Sequence, residues 1–512
     1  MSGTKRWWLL VTVAVGLLLI SVDMTVLYTA LPTLTEQLHA DASQKLWIIN
    51  AYPLVMAGLL LGAGTLGDRV GHKRMFLAGL ALFGVASSVA AFAPSADVLI
   101  GARAFLAVGA SAMMPATLSL IRTTFEDEHE RNIAIGVWGT MSVVGTALGP
   151  ILGGLLIEHF WWGSVFLINV PVVVLALIAG AVLAPGASGR SDKPWDFIAS
   201  VQIMVGLVGL VYAVKEATKP GPDPLHIVIA LLAAAAGFTL FVRRQRRRTH
   251  PLLDFVLLRD PRILSGMVAA ALAMFATAGI QLVLTQRLQL VLDLTPLHAG
   301  LLVAAFAAGC LPSGAVAGSL VHRTGPRPLI AGGLLTGAAG VLLTLLLTPG
   351  VVPLVAVHPD HPGWIVPGLM VAGAGMGLAM TAASAAIMGN APAHRAGMAA
   401  SVEEVSYELG SLSGVAVLGS VLGALYTSTV HLPSGVPDLA KDSLDAARST
   451  AAELPADRAD PLLAAARNAF DHGYTLTLLI TAAALIAGSV FTARRLALPA
   501  RAQVVPEKEP AA

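Results

Sequence analysis

The sequence predicts an all-α membrane protein of fourteen transmembrane helices, and three observations carry that expectation. Composition is the first: of 512 residues, 56% are apolar and only 12% charged, with a mean hydropathy of +0.77. That is far too apolar for a soluble multidomain chain. The second is a succession of apolar runs, each near the length of about twenty residues that crosses a bilayer as a helix. The third is an internal repeat that divides these runs into two equivalent sets.

The first run, 7–31, follows KRWW. A basic start before an apolar stretch also describes a signal peptide, but the run ends in ALPTL without a small-residue cleavage site, so it is expected to remain as a span. Runs at 46–67 and 75–94 flank the basic turn GTLGDRVGHKR. Runs at 97–121, 132–157 and 163–184 complete a set of six. Two more follow at 195–214 and 225–242, the second ending in RRQRRRTHP from Arg243, a cluster expected to anchor topology beside anionic lipid. The last six lie at 263–284, 297–319, 328–347, 363–388, 396–426 and 473–493. Between the final two, residues 427–472 form one long loop of mixed charge, with stretches such as DSLDAARSTAAEL able to form short surface helices.

An even number of spans puts both termini on one side, and Lys and Arg collect on the cytoplasmic side of membrane proteins. Of the 32 basic residues, 23 fall on the side shared with the termini and 8 on the other, with Arg103 inside a span. Both termini are therefore expected in the cytoplasm and the 427–472 loop outside. A net charge of +2 with scattered basic residues argues against nucleic-acid binding. The single cysteine, Cys310, excludes an internal disulfide and a multi-cysteine metal site, and is expected to pack in the core. No Gly-Lys dipeptide occurs, which excludes a phosphate-binding loop of the Walker type. No nucleophile with a His partner stands out either, so an enzyme is not expected and neither a metal nor a cofactor is implied.

The repeat appears in GTLGDRVGHKR from Gly64 and GSLVHRTGPRP from Gly318, where Gly64, Leu66, Arg69 and Gly71 align with Gly318, Leu320, Arg323 and Gly325. Arg131 before the glycines of span five echoes Arg395 before those of span thirteen. Residues 1–190 then read as one six-helix bundle, 191–250 as two linker helices, and 251–512 as a second six-helix bundle with an outer loop and a cytoplasmic tail. Duplicated bundles with a site at their interface are a common transporter plan.

Several motifs bring chemistry into this frame. In GTLGDRVGHKR, glycines allow a tight turn while Asp68, Arg69, Lys73 and Arg74 stay at a helix interface, where an acid can bond free helix N–H groups. This pattern resembles the signature loop of the major facilitator superfamily. In span five, Gly145, Gly149 and Gly153 recur every four residues to make one smooth face, with Pro150 and Gly154 beside it. The whole string GTALGPILGG resembles the motif of that superfamily's antiporters, where it helps to seal the cavity in one state. Arg103 in span four costs about 2.5 to 3.5 kcal/mol on insertion scales unless it meets a partner or water. The family's Gln-Gly pair after this arginine is replaced by Leu106 and Ala107, as in some exporters of quaternary ammonium compounds.

Span one reads LLISVDMTVLYTALPTL, similar to the first span of 14-span drug:proton antiporters. Asp23 lies about sixteen residues from the cytoplasmic edge, near or past the midplane. It can serve as an exchanging acid, as a structural partner of Arg103, or as both. In span thirteen, SVEEVSYELG from Ser401 carries Glu403, Glu404 and Glu408, and puts Glu404 and Glu408 roughly 12 to 18 Å into the membrane. Glu404 and Glu408 share one helical face and Glu403 points about 100° away, which makes it the least important of the three. Two carboxylates in a low-dielectric cavity cannot both ionise cheaply, a property that suits proton exchange and cation binding. The run resembles the acidic signature of Qac-type and Smv-type exporters, in which matching acids couple protons and bind drug. Tyr28, Tyr52, Trp138 and Tyr407 offer faces for cation-π contact, with plain packing an equal alternative for each. Span two has Asn50 where some relatives place an acid, and span ten has no acid.

The resemblance implies a major facilitator fold and a proton-coupled efflux antiporter for lipophilic cations such as quaternary ammonium biocides and dyes. Its partners would be cationic drugs, protons and the plasma membrane, with the chain acting as a monomer. Export of an endogenous metabolite, antibiotic or siderophore is the alternative, and a non-transporting membrane sensor a more distant one.

Overall fold

The computed structural model describes residues 3–186, 196–217, 222–248, 260–351, 361–390 and 396–495. Arg395, the end of RRQRRRTHP, the boundaries expected near 191 and 251, and the tail beyond 495 lie outside them. The described chain is helical and carries no strand. Its helices are α1 (Gly3–Gln37), α2 (Ala42–Val70), α3 (His72–Ala91), α4 (Ala96–Thr124), α5 (Glu128–His159), the short α6 (Ser164–Leu167), α7 (Asn169–Leu183), α8 (Phe197–Ala217) and α9 (Pro224–Arg247). Then come α10 (Pro261–Gln286), α11 (Pro296–Thr324), α12 (Pro326–Leu346), α13 (Val366–Met388), α14 (Ala396–Thr429), α15 (Leu444–Ala452) and α16 (Ala456–Arg495). Among the described residues, thirteen helices are long and apolar enough to cross a membrane, and fourteen if α2, bent by 54°, is one span.

The helix starts follow local chemistry. Asp41 and Gln44 form a reciprocal capping box at α2, with bonds of 2.7 and 3.1 Å. Ser95, Asp127, Asp223, Asp260, Thr295 and Ser443 cap α4, α5, α9, α10, α11 and α15. The paired repeat glycines end their helices alike. Gly71 (φ 102°) donates to Gly67 and closes α2, and Gly325 (φ 76°) donates to Val321 and closes α11. A side chain strains that backbone, so Gly71→Ala is expected to lower detergent-solubilised stability by about 1–2 kcal/mol. Gly101→Ala, with nothing within 4 Å of the added carbon, supplies the control in the same thermal unfolding measurement and is not expected to destabilise.

Two apolar cores organise the helices. One is built from α1 to α5 and α7, with part of α8 and the middle of α14 against it; the other from α10 to α16. The halves touch in several places. An added carbon on Gly154 would stand 2.5 Å from Leu297 Cα, and one on Gly300 would strike the Pro150 carbonyl. Gln289 donates to the Thr29 carbonyl at 2.8 Å, and Lys45 pairs with Asp445 at 2.5 Å. These contacts gather at the end of the bundle that carries α15, away from the chain termini.

Two sequence expectations need correction. The long loop is shorter than 427–472, because α14 continues to Thr429 and α16 begins at Ala456. At 40 residues α16 is about 60 Å long, twice the hydrocarbon thickness. Its polar first turns escape a hydropathy reading, yet Leu462, Ala466, Ala469 and Phe470 form a buried stripe that holds them helical. Arg287, counted as an outer-loop cation, is instead 2% exposed in a π-helical turn continuing α10. It bonds Asp471 at 2.8 and 3.1 Å and the Pro349 carbonyl at 2.8 Å, beneath the Tyr474 ring at 5.3 Å.

Candidate functional site

Charges inside the membrane define the site, because each must find a partner there. α1 carries Asp23 and α4 carries Arg103, both at most 1% exposed, and the structure joins them at 2.5 Å. The guanidinium also donates to the Ile48 carbonyl of α2 at 3.2 Å and lies 4.8 Å from the Tyr52 ring centroid. The second Asp23 oxygen accepts from Asn169 of α7 at 3.3 Å, and Asn169 reaches Ser87 of α3 at the same distance. One acid thus ties together five helices of the first half. Asn169 and Ser87 carry no charge, and nothing in their apolar surroundings marks them in the sequence.

Across the interface, α14 brings its three acids to different places. Glu408 is 4% exposed, and its Oε2 has no hydrogen-bond partner. Arg103 lies within electrostatic reach of it, and Glu408, Arg103 and Asp23 all act on the Tyr52 hydroxyl, which is buried and unpartnered too. Tyr28 stands in the same neighbourhood and pairs with Ser411 of α14. Glu404, one turn nearer the start of α14, lies within electrostatic reach of both Glu403 and Glu408. Glu403 turns aside from that face and has partners of its own. It accepts from the Tyr407 hydroxyl at 3.0 Å and bonds Ser384 of α13. The structure therefore brings Asp23, Arg103, Tyr52, Tyr28 and Glu408 into one cluster, with Glu403, Glu404 and Tyr407 beside it.

The aromatic residues differ in what they leave open. Arg103 covers one face of Tyr52, and Trp138 is half-buried on α5 with its indole donating to Thr117 at 3.1 Å. Asn50, 1% exposed, keeps an unpartnered oxygen, and so does Gln281 on α10. Cys310 is free and half-buried, close enough to act on Tyr407.

The glycine motif packs as its spacing requires. Side chains added at Gly145 and Gly153 would stand 2.6 Å from Ser21 Cβ and 2.9 Å from the Val26 carbonyl of α1, and one at Gly149 would strike Thr25. Gly154 and Pro150, on the neighbouring face, meet Leu297 and Gly300 of α11. The basic turn takes a form the sequence left open. Asp68 pairs with His72 at 3.2 Å rather than capping another helix. Lys73 does the capping, donating at 2.8 Å to the Ala181 and Ala184 carbonyls at the end of α7. Arg69 and Arg74 are exposed, and Gly64 has only Pro115 near it, at 3.9 Å.

Buried acids, an intramembrane arginine and two helical halves in contact form a transporter's arrangement, and the family model described as Major Facilitator Superfamily matches residues 13–415. The chain belongs to the major facilitator superfamily. It is 38% identical over 499 residues to the multidrug efflux pump LfrA of Mycolicibacterium smegmatis, covering 96% of this chain and 97% of that protein. It is also 38% identical over 482 residues to the methyl viologen resistance protein SmvA of Salmonella typhimurium, covering 93% and 95%. Among solved structures, the fold resembles a bacterial homologue of the human lysosomal transporter Spinster in an inward-facing, unoccupied conformation. There the TM-score is 0.66 at 16% identity, over 97% of this chain and 99% of that one. This superfamily member is a multi-pass membrane transporter and not an enzyme.

Proposed function

We propose that this transporter is a proton-coupled multidrug efflux antiporter that exports lipophilic cations, quaternary ammonium biocides and dyes among them. The observation that carries the reading is Glu408, a buried carboxylate with one unpartnered oxygen, facing the Asp23–Arg103 pair from the other half. A carboxylate in that position is neutral when protonated and a counter-ion for an organic cation when ionised, so proton and drug compete for it. Glu404 extends the same acidic surface toward the chain termini, with Glu403 and Tyr407 as its hydrogen-bonded flank. Tyr28 and Tyr52 stand beside these acids, and Arg103 sets the charge balance against which Asp23 and Glu408 exchange protons. The names of LfrA and SmvA support drug efflux, and methyl viologen is itself an organic dication.

In this reading both termini are cytoplasmic, and α1–α7 and α10–α16 form two bundles of six spans each that rock about the acids. The α15 end faces outward and is closed by the α5–α11 glycine contact. The turn around Asp68, Arg69, Lys73 and Arg74 governs the opposite closure, and α8 and α9 are linker helices. Inverted membrane vesicles test this. Adding methyl viologen or ethidium to energised vesicles is expected to release protons from the lumen as the dye accumulates. A panel of quaternary ammonium dyes that moves no protons would remove the proposal and favour export of a metabolite or antibiotic.

A further inference from the structure

A cavity of about 730 Å³ lies away from the acids, at the α15 end, bounded by the start of α2 and the ends of α8, α10 and α14. Its size falls in the range of roughly 300–1,000 Å³ that holds a drug-sized molecule. The first notable feature of its wall is an ammonium among aromatic rings. Lys215 Nζ of α8 stands 5.8 Å from the ring centroids of both Trp47 and Tyr212, and it donates to the Ser43 hydroxyl. Aromatic faces at such distances are how proteins hold quaternary ammonium groups. The second is charge. Asp41, Glu216, Asp442 and Asp445 line the cavity against only two lysines, and one of these, Lys45, is already paired with Asp445 at 2.5 Å. The third is Ser420, 4% exposed on the cavity wall with its hydroxyl unpartnered.

We infer that this cavity is an outer binding site for lipophilic organic cations, in which the Lys215 ammonium stands in for the cargo between Trp47 and Tyr212 until a cation displaces it. The class of cargo and the outward orientation rest on the proposed function, whereas the cavity and its resident lysine do not. The inference gives α8, otherwise a linker helix, a direct part in handling substrate. The site also differs in kind from the acid cluster around Glu408, because its grip is aromatic.

Thiol labelling of intact cells tests the site without measuring transport. In the full chain carrying Cys310→Ala and Lys215→Cys, the trimethylammonium-ethyl methanethiosulfonate is expected to react about tenfold faster than its sulfonatoethyl counterpart, each normalised to a free thiol. Tetraphenylphosphonium should slow that reaction in proportion to its occupancy, and Trp47→Leu or Tyr212→Leu should abolish the protection. Ser43→Cys, beside the same ammonium, replaces Lys215→Cys if that variant does not reach the membrane. Protection should persist with Glu404→Gln and Glu408→Gln. If protection holds while vesicles show no proton exchange, the functional proposal falls and the site stands. Equal normalised rates, absent protection, protection indifferent to both rings, or protection lost with the two glutamates would each overturn the site.

Discussion

Glu408→Gln is expected to lower drug-driven proton release at least about tenfold, a loss of ~1.4 kcal/mol or more in coupling, while leaving the protein folded. Glutamine keeps the shape of the side chain and its place on α14. What disappears is the ability to hold or release a proton at the oxygen that has no partner. A purely structural Glu408 predicts the opposite pattern. Since its Oε2 bonds nothing, the amide would cost little and exchange would continue at the parent rate, a result that would end its role as proton carrier. Glu404→Gln is expected to act in the same direction. Glu403→Gln should do less, because an amide oxygen can still accept from Tyr407.

Asp23→Asn is expected to be the more damaging change to stability. Breaking a buried ion pair from one side leaves an uncompensated charge at a cost of about 3–5 kcal/mol, and Arg103 at 1% exposure has no access to water that would soften it. Arg103→Gln should cost a similar amount by stranding Asp23. The double variant Asp23→Asn with Arg103→Gln should recover much of both losses, since each amide can hydrogen-bond the other. Thermal unfolding in detergent over this double-mutant cycle measures the coupling. Single variants that each cost less than about 1 kcal/mol would mean that the pair contributes little to the fold. Proton exchange in the double variant asks a separate question. If exchange survives without Asp23, then Glu408 and Glu404 suffice, and the aspartate serves as the arginine's counter-ion alone.

The sequence revealed what was costly to place. A charge in an apolar run stands out, which is why Asp23, Arg103 and the three glutamates could be read from the chain, and why Gly71 and Gly325 announced themselves through repetition. Partners that cost little stayed hidden. Asn169 and Ser87 complete the Asp23 network, yet an asparagine and a serine disturb hydropathy too little to be noticed. Arg287 and Asp471 were concealed for another reason. Each lies where an apolar run fades, so span counting assigned both to water, and only the π-helical turn after α10 and the long approach of α16 bring them together. Glu403 shows the limit of helical geometry. Its direction and the Tyr407 hydroxyl four residues along the same helix were legible, but the Ser384 group waiting there depends on how α13 packs against α14.

The contact between Gly154 and Leu297 has a consequence for the environments in which the transporter can work. At that place the halves meet backbone to backbone, with no room for a single added carbon. Close packing of this kind draws its strength from dispersion, which dissolved ions do not weaken. The Lys45–Asp445 bridge nearby is partly open to solvent and loosens as salt rises. The two contacts between the halves at that end therefore respond differently to ionic strength: the backbone contact holds as salt rises, while the ion pair weakens.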